Sequence, residues 1–183
     1  MTKNLTHKSC IPEPKITLIE NFINNPDELF TRIRDSIIWD ERIKARKTAS
    51  FGVSYDYSGM TYPQSEMLSE LVPTCNKIEK QIGFMPNNCL MNYYLDGKSS
   101  MGYHSDSAEE LKTGTGVVII SLGAERHISY RSKIDQETKY QYLLKNGSLL
   151  YMDKPVQDEW MHAIPKENGI GERISLTFRY IIK

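Results

Sequence analysis

Cysteine is scarce in this sequence. The 183 residues include only Cys10, Cys75 and Cys89, an odd number without close spacing. A disulfide framework needs paired cysteines, and a cysteine-based zinc site places two of them a few residues apart. The cysteine pattern therefore argues against a disulfide-linked scaffold and against a zinc-binding module.

Long apolar runs and an excess of one charge are also missing. No apolar stretch approaches the roughly 18 residues of a membrane span, and the N-terminal MTKNL lacks the apolar segment of a secretory signal. Lys plus Arg equals Asp plus Glu at 23 each, so any nucleic-acid surface must be a local patch. We therefore expect an intracellular protein, cytoplasmic or nuclear, that makes no membrane contact.

The length fits one domain, which we place at residues 15–183. Residues 1–14 are polar and contain Pro12 and Pro14, a composition that predicts a mobile tail. No internal repeat or low-complexity tract is visible, and the expected state is a monomer.

Helical signals come first along the chain. Asn25 and Pro26 predict a helix start with Asn25 as the cap, and apolar residues follow at helical spacing. Pro73 predicts a second helix that stops at Gly83.

About eight short strands are predicted after these helices. A strand-like run begins near Cys89, a buried strand covers residues 117–122, and another covers 126–131. Residues 140–144 and 148–152 are predicted to pair as a hairpin around Asn146-Gly147. Helices followed by strands indicate a mainly β, α+β fold: a double-stranded β-helix, or jelly roll, with N-terminal supporting helices.

The clearest chemical motif is His104-Ser105-Asp106. Residues two apart on a strand point to the same face, so His104 and Asp106 offer a nitrogen and an oxygen to one metal ion. His162 is the candidate third ligand. Two His and one carboxylate with open positions form the facial triad of non-haem Fe(II) oxygenases. Alone, a His-x-Asp pair is more often a solvated surface feature.

A strictly alternating strand follows His162. Its polar face carries two arginines, Arg173 and Arg179, and its other face is apolar. Either the polar face is exposed to solvent, or it turns into a barrel and binds an anion. Six strand residues span about 20 Å, so both guanidiniums reach one small dianion only by leaning together. A dicarboxylate would accept paired hydrogen bonds from them.

A basic run precedes an aromatic, glycine-containing stretch at residues 51–62 that is predicted to form a hairpin or lid. The basic residues are Arg42, Lys44, Arg46 and Lys47. One interpretation is a solvated charged face beside core aromatics. The other is a nucleic-acid surface, with phosphate contacts from the basic run and base stacking on the lid.

Seven short pieces between residues 51 and 180, in the same order, resemble the AlkB family of Fe(II)- and 2-oxoglutarate-dependent dioxygenases, which repair alkylated nucleic-acid bases. The 54–59 piece is most similar to the eukaryotic-type DNA/RNA demethylase branch. The pieces are SYDYSG at 54–59, NYY at 92–94, HSD at 104–106, SLGA at 121–124, GSLL at 147–150, WMH at 160–162 and RISLTFR at 173–179.

The resemblance implies the site residues. His104, Asp106 and His162 would bind Fe(II), and alkylated DNA or RNA, 2-oxoglutarate and O₂ would be the substrates. The implied 2-oxoglutarate ligands are Asn92, Tyr94, Arg173, Ser175 and Arg179, with the far carboxylate on Arg173. The implied nucleic-acid contacts are Tyr55 and Tyr57 on the lid, Glu109 near the base, and Lys44, Arg46 and Lys47 at phosphates.

Two positions depart from the family pattern. Ser175 stands where the family often has Asn, and Ala108 stands where it often has an acid that contacts the base. Glu109 or Glu110 would then have to supply that contact.

The implied activity is oxidative demethylation of bases such as 1-methyladenine and 3-methylcytosine, with release of formaldehyde, succinate and CO₂. The alternatives are a 2-oxoglutarate-dependent hydroxylase of a protein or small molecule, and a metal-free jelly-roll binding module.

Overall fold

The computed structural model describes residues 11–106 and 109–182. Most of the predicted N-terminal tail and Ala108 lie outside these residues. In the last part of the predicted tail, Ile11 and Glu13 contact the smaller sheet. The Ile11 carbonyl accepts a hydrogen bond from Tyr140 at 2.9 Å, and Glu13 accepts one from Tyr142 at 2.9 Å.

Strands dominate the described residues. The helices are α1 (Pro26–Ser36), α2 (Val72–Ile82) and α3 (Lys154–Glu159). The strands are β1 (Thr17–Ile19), β2 (Lys47–Gly52), β3 (Tyr55–Tyr57), β4 (Met60–Tyr62), β5 (Asn88–Tyr94), β6 (Met101–His104), β7 (Val117–Gly123), β8 (Arg126–Ser132), β9 (Lys139–Leu144), β10 (Leu149–Met152), β11 (Trp160–Ile164) and β12 (Arg173–Arg179).

Two antiparallel sheets form the body. The larger sheet has the order β1-β10-β7-β12-β5-β2, and the smaller has the order β6-β11-β8-β9. A buried apolar cluster fills the space between them, with Tyr94, Ile119, Ile128 and Trp160 among its members. The mainly β jelly-roll prediction is confirmed, although the run from Cys89 proves to be two strands, β5 and β6, in different sheets.

Helices α1 and α2 support the outer face of the larger sheet. Ile33 of α1 and Ile78 of α2 are fully buried in the cluster that also contains Leu176 and Phe178 of β12. Both helices begin where the proline signals place them, and Gly83 ends α2 in the left-handed conformation at φ 94°. The side chain of Asn25 makes no capping hydrogen bond, so that part of the prediction is wrong.

The predicted hairpin around Asn146-Gly147 is wrong. Residues 139–144 pair with β8 in the smaller sheet, whereas 149–152 pair with β7 and β1 in the larger one. The turn signal itself is genuine, because Gly147 adopts a positive φ of 76°. The turn carries the chain from one sheet to the other, and Asn146 Oδ1 fixes it by accepting a hydrogen bond from Gly123 N at 2.9 Å.

Strands β3 and β4 form a separate two-stranded hairpin, which we call the lid. Ser58 and Gly59 both have positive φ, 52° and 73°, as the tight turn of a hairpin requires. The lid is shorter than the predicted 51–62, because Phe51 and Gly52 belong to β2 in the larger sheet. Among the described residues, no helix is long and apolar enough to cross a membrane.

Candidate active site

Strands β6 and β11 bring the two predicted metal-binding histidines together. His104 and His162 are direct partners across the antiparallel pair, and their ring centroids lie 4.3 Å apart. Asp106 follows two residues after His104, just beyond the end of β6. One ligand atom from each of the three residues lies within 4.8 Å of the other two. The His-x-Asp…His pattern therefore forms one cluster.

The cluster has the chemistry of a metal site. His104 Nδ1 lies 2.9 Å from the Gly102 carbonyl, which leaves Nε2 to face the other two side chains. Asp106 Oδ2 is buried without a hydrogen-bond partner and lies 3.7 Å from His162 Nε2. A buried carboxylate oxygen without a partner is costly unless a cation binds it. Two imidazoles and one such oxygen fit a divalent iron.

The ionisation states of His162 and Asp106 at neutral pH also favour metal binding. Burial lowers the pKa of His162 to about 4, although the neighbouring Asp106 opposes the shift. Burial alone would raise the pKa of Asp106, but Arg179 and the two histidines outweigh it and lower the pKa to about 2. At neutral pH His162 is therefore a neutral imidazole and Asp106 a carboxylate, the forms that bind a metal.

These shifts predict that the metal-free protein loses stability in acid. The His162 pKa is 6.5 in the unfolded reference and about 4 in the folded protein. Between these values the unfolded chain binds more protons, so the free energy of unfolding falls as pH falls, by roughly 3 kcal/mol in all. Asp106 adds a loss of the same sign below its ordinary pKa of 3.8. Urea denaturation in EDTA at pH 7.5 and 4.5 measures the loss.

The matched control is His162→Gln, which lacks the titrating group. Its unfolding free energy is expected to change much less over the same pH interval. If wild type and variant lose equal stability, the acid sensitivity comes from another group.

Arg179 lies beside the metal cluster. Its Nη2 donates to Asp106 Oδ1 at 2.6 Å, both side chains are buried, and the pair holds one oxygen of Asp106 away from the metal position. The guanidinium also lies over the ring of Tyr55, at 4.7 Å from its centroid. Arg179 therefore orients Asp106 and also contacts the lid.

Arg173 lies at the other end of the same face of β12 and is left with unused donors. Nε donates to Ser121 Oγ at 2.8 Å, but Nη1 and Nη2 are buried without a hydrogen-bond partner. Tyr94 faces the guanidinium at 5.3 Å from its ring centroid. Burial lowers the pKa of Arg173 to about 10, so the group remains charged at neutral pH. A fully buried fork with two unsatisfied donors fits one carboxylate group.

The other predicted co-substrate residues lie beside the metal cluster. In the register of β5 against β12, Tyr94 is opposite Arg173 and Asn92 is opposite Ser175. Tyr94 is 1% exposed, Asn92 2% and Ser175 5%. Asn92, Tyr94, Ser175 and Arg179 border one cavity together with the three metal-binding candidates. The cavity thus has one cationic group, Arg179, and three metal-binding side chains on its wall, and Tyr94 lies between this wall and Arg173.

The cavity opens toward a cleft of about 390 Å³ beneath the lid. Tyr55 and Tyr57 line the cleft on the lid side, and residues 101–106 line it on the side of the metal cluster. The two tyrosine rings are stacked with centroids 6.5 Å apart. Tyr55 is 3% exposed, whereas Tyr57 is only half-buried and faces the cleft.

The predicted phosphate contacts do not form one basic patch. Lys44 is exposed, but Lys47 is paired with Glu41 at 2.6 Å. Arg46 is 9% exposed and donates to Asn92 Oδ1 at 2.8 Å. Arg46 therefore points inward just before β2 and lines the cleft beneath the lid, and its contact with phosphate stays a prediction.

Glu109 is also separated from the lid. It is exposed and lines a different cleft, together with Lys133, Lys154 and Asp158. Burial is the main cause of the raised pKa of Tyr55, Arg179 opposes it, and Asp106 and Glu110 add to it.

Three residues of the site were given no role from the sequence, although Ser121 belongs to the SLGA piece at 121–124. Ser121 orients Arg173, and Gln157 accepts a hydrogen bond from Asp106 N at 3.1 Å. Arg126 is fully buried and donates to three carbonyls, of Asp96, Ser99 and Pro165, in the loops beside Tyr94. Each acts through a contact between distant segments, and no spacing within the sequence indicates such a contact.

A jelly roll that holds two histidines, one carboxylate and a buried guanidinium with free donors is the arrangement of an iron-dependent, 2-oxoglutarate-binding oxygenase. The profile of the 2OG-Fe(II) oxygenase superfamily matches residues 33–179. The chain belongs to this superfamily and, within it, to the AlkB family.

Individual relatives agree with this assignment. Rat alpha-ketoglutarate-dependent dioxygenase alkB homolog 3 is 30% identical over 189 residues, covering 91% of this chain and 64% of the relative. Bovine DNA oxidative demethylase ALKBH2 is 31% identical over 149 residues, covering 75% and 53%. The chain thus spans about half to two thirds of these relatives. The solved structure of OsALKBH1 shares the fold, with a TM-score of 0.68 over 92% of this chain and 99% of that chain, at 17% identity.

Proposed function

We propose that this protein is an Fe(II)- and 2-oxoglutarate-dependent dioxygenase that removes methyl groups from N-alkylated nucleic-acid bases. The observation that carries the proposal is the buried His104, Asp106 and His162 cluster in a cavity bordered by Tyr94, whose ring faces buried Arg173 with its two unpaired donors. Bound together, Fe(II) and 2-oxoglutarate would supply an O₂-dependent oxidation that yields succinate, CO₂ and formaldehyde.

His104, Asp106 and His162 would hold the iron in this reaction. Arg179 keeps Asp106 ionised and oriented through its hydrogen bond at 2.6 Å. Gln157 holds the backbone of the same residue through the Asp106 N–H. These two contacts limit the movement of the carboxylate, and such outer partners of a metal ligand typically contribute about 10- to 100-fold in metal affinity or activity.

Arg173 would bind the far carboxylate of 2-oxoglutarate through Nη1 and Nη2. Ser121 holds the fork from behind at Nε, so these two donors remain for the ligand. Tyr94, Asn92 and Ser175 would bind along the chain of the co-substrate. The residues of β5 and β12 that border the cavity are buried, and their burial would exclude water from the reacting groups.

The lid supports a nucleic-acid base as the second substrate. Tyr57 faces the cleft at the metal cluster with a half-buried aromatic ring, to which a base can stack. The base would have to leave its helical stack to enter the cleft, which costs a few kcal/mol in a duplex and less in a single strand. The bovine relative ALKBH2 is named a DNA oxidative demethylase, which agrees with this substrate class.

The test is incubation with Fe(II), 2-oxoglutarate and oligonucleotides that carry 1-methyladenine or 3-methylcytosine, as single and double strands of DNA and RNA. The expected result is one formaldehyde and one succinate for each methyl group removed. Succinate without formaldehyde from any oligonucleotide would contradict demethylation and favour a hydroxylase of a protein or small molecule. The matching unmethylated oligonucleotides control for uncoupled succinate formation.

Tyr57→Ala is expected to weaken binding of a methylated oligonucleotide by roughly 5- to 150-fold. The physical reason is the loss of base stacking, worth about 1–3 kcal/mol per base by alanine substitution. Fluorescence anisotropy with a labelled oligonucleotide measures the effect. Tyr57→Phe is the control, because it keeps the ring.

Tyr57 also packs partly against the cluster of Tyr55, Tyr62, Leu90 and Ile181, so its removal could act through stability alone. Thermal melting of the same variant separates the two effects. A lowered melting temperature with unchanged oligonucleotide binding would exclude Tyr57 from base stacking.

A further inference from the structure

Arg46 lies between the lid and the co-substrate residues and contacts both. Nε donates to Asn92 Oδ1 at 2.8 Å, and Nη2 donates to the Tyr57 hydroxyl. Nη1 lies 3.4 Å from the Ser100 carbonyl. The guanidinium also lies near the Tyr57 ring, at 5.6 Å from its centroid. One side chain just before β2 thus joins the lid to β5.

The contact with Asn92 fixes the direction of its amide. An asparagine side chain has one acceptor oxygen and one donor nitrogen, whereas arginine has only donors. Arg46 therefore selects Oδ1, and Nδ2 is directed elsewhere. Since Asn92 borders the cavity of the metal cluster, Nδ2 is available there to donate to an anion. Arg46 prepares Asn92 as a donor for the co-substrate.

The contact with Tyr57 fixes the lid. The Tyr57 hydroxyl accepts from Arg46 and lies 3.5 Å from the same Asn92 Oδ1. The base of the lid is held independently, because Tyr62 is hydrogen-bonded to Thr48 at 2.5 Å and Tyr55 is buried. Arg46 therefore controls the position of the Tyr57 ring above the cleft.

The charge of Arg46 is not used in an ion pair. None of the ion pairs among the described residues includes it, and its three acceptors are an amide, a carbonyl and a hydroxyl. A cation that is 9% exposed without a carboxylate partner is unfavourable in isolation. A dianion in the adjoining cavity would stabilise it.

We propose that Arg46 is a positioning residue that couples closure of the lid to binding of 2-oxoglutarate. This inference rests on the proposed function of the cavity. When 2-oxoglutarate accepts from Asn92 Nδ2, the amide is held with Oδ1 toward Arg46, and Arg46 in turn holds Tyr57. By linkage, a lid held closed by substrate raises the affinity for 2-oxoglutarate by the same factor.

The test is hydrogen exchange of the lid amides, residues 55–62, in the Mn(II)-loaded full chain with and without 2-oxoglutarate. In the wild type, 2-oxoglutarate is expected to slow exchange about 5-fold or more, the lower end of typical coupling factors. Arg46→Lys keeps the charge but has one nitrogen in place of the fork, so it cannot hold Asn92 and Tyr57 together. In Arg46→Lys, binding of 2-oxoglutarate is expected to change the hydrogen-exchange rate of the lid amides by less than about 2-fold.

A second variant and a control isolate the contact. Tyr57→Phe removes only the hydroxyl that Arg46 binds, and it should uncouple the lid while 2-oxoglutarate still binds. If Arg46→Lys fails to fold, Tyr57→Phe alone still tests the coupling. Lys80→Ala removes one exposed charge on α2, remote from the cavity, and should retain the full slowing.

The outcomes separate the two proposals. If calorimetry shows that the wild type binds no 2-oxoglutarate, the proposed function fails, and the coupling fails with it. If the wild type binds 2-oxoglutarate without slowing lid exchange, or if Tyr57→Phe retains the slowing, the coupling through Arg46 is overturned and the proposed function stands.

Discussion

His104→Ala is expected to lose metal binding and turnover together. His104 offers one of only three side chains in the cluster, and the opposing His162 and Asp106 cannot replace its nitrogen. Even the outer partners of a metal ligand contribute about 10- to 100-fold, so removal of a ligand should exceed about 100-fold in metal affinity. Equilibrium dialysis with Mn(II) measures the metal, and succinate formation measures turnover.

His127→Ala is the matched control. His127 lies on β8 and is half-exposed, and its ring is 3.3 Å from Glu167, away from the cluster. It should bind the metal as the wild type does. Succinate formation by His104→Ala at the wild-type rate would show that the cluster is not the metal centre. Equal losses in both variants would indicate that the effect comes from folding.

The sequence predicted the elements of the fold better than their pairing. Local signals placed α1 at Pro26 and α2 before Gly83, because caps and proline positions act within a few residues. The pairing of β9 and β10 failed for a physical reason. A turn signal such as Asn146-Gly147 reports positive φ, but it does not report whether the next strand returns to the same sheet.

The metal cluster was predictable because its spacing carries the chemistry. His104 and Asp106 are two residues apart, and only His162 had to be found at a distance. Arg173 and Arg179 were found from the period of two on β12, which separates its polar from its apolar face.

The inward direction of Arg46 could not be predicted from composition, because composition averages over a segment. Three of the four basic residues in 42–47 are at the surface or in exposed ion pairs, and the fourth, Arg46, is buried just before β2. Whether a charged residue in such a run faces solvent therefore depends on its position relative to the neighbouring strand. Its partners, Asn92 and Tyr57, lie on β5 and on the lid, and neither contact has a sequence signature.

The second large effect is expected from Arg173→Met, which should strongly weaken 2-oxoglutarate binding with little change in the stability of the metal-free protein. Losing one partner of a buried hydrogen-bonded charge pair costs about 2–5 kcal/mol, or roughly 30- to 4,000-fold in affinity. Arg173→Lys keeps the charge but loses the fork, so the Michaelis constant for 2-oxoglutarate should lie between those of wild type and Arg173→Met. Calorimetry and steady-state kinetics measure the two quantities.

The stability of the two variants in the absence of ligand tests the reason for the effect. In the wild type, Arg173 has two buried donors without partners, and each such group costs about 1–3 kcal/mol. Methionine removes these donors, but it also removes the hydrogen bond to Ser121 and the cation–π contact with Tyr94. These effects oppose each other, so the metal-free Arg173→Met variant should unfold at nearly the same urea concentration as the wild type.

Arg126→Met makes the same substitution at another fully buried arginine, but this variant is expected to lose stability. Arg126 is fully buried like Arg173, but it donates to the carbonyls of Asp96, Ser99 and Pro165. Methionine there removes the donor to three part-buried carbonyls and the ion pair with Glu167 at 3.6 Å, so Arg126→Met should be clearly less stable. If Arg173→Met is destabilised as much as Arg126→Met, then Arg173 supports the fold, and the co-substrate carboxylate must bind elsewhere. If only Arg126→Met is destabilised, the unpaired donors of Arg173 are kept for a ligand, because nothing in the fold depends on them.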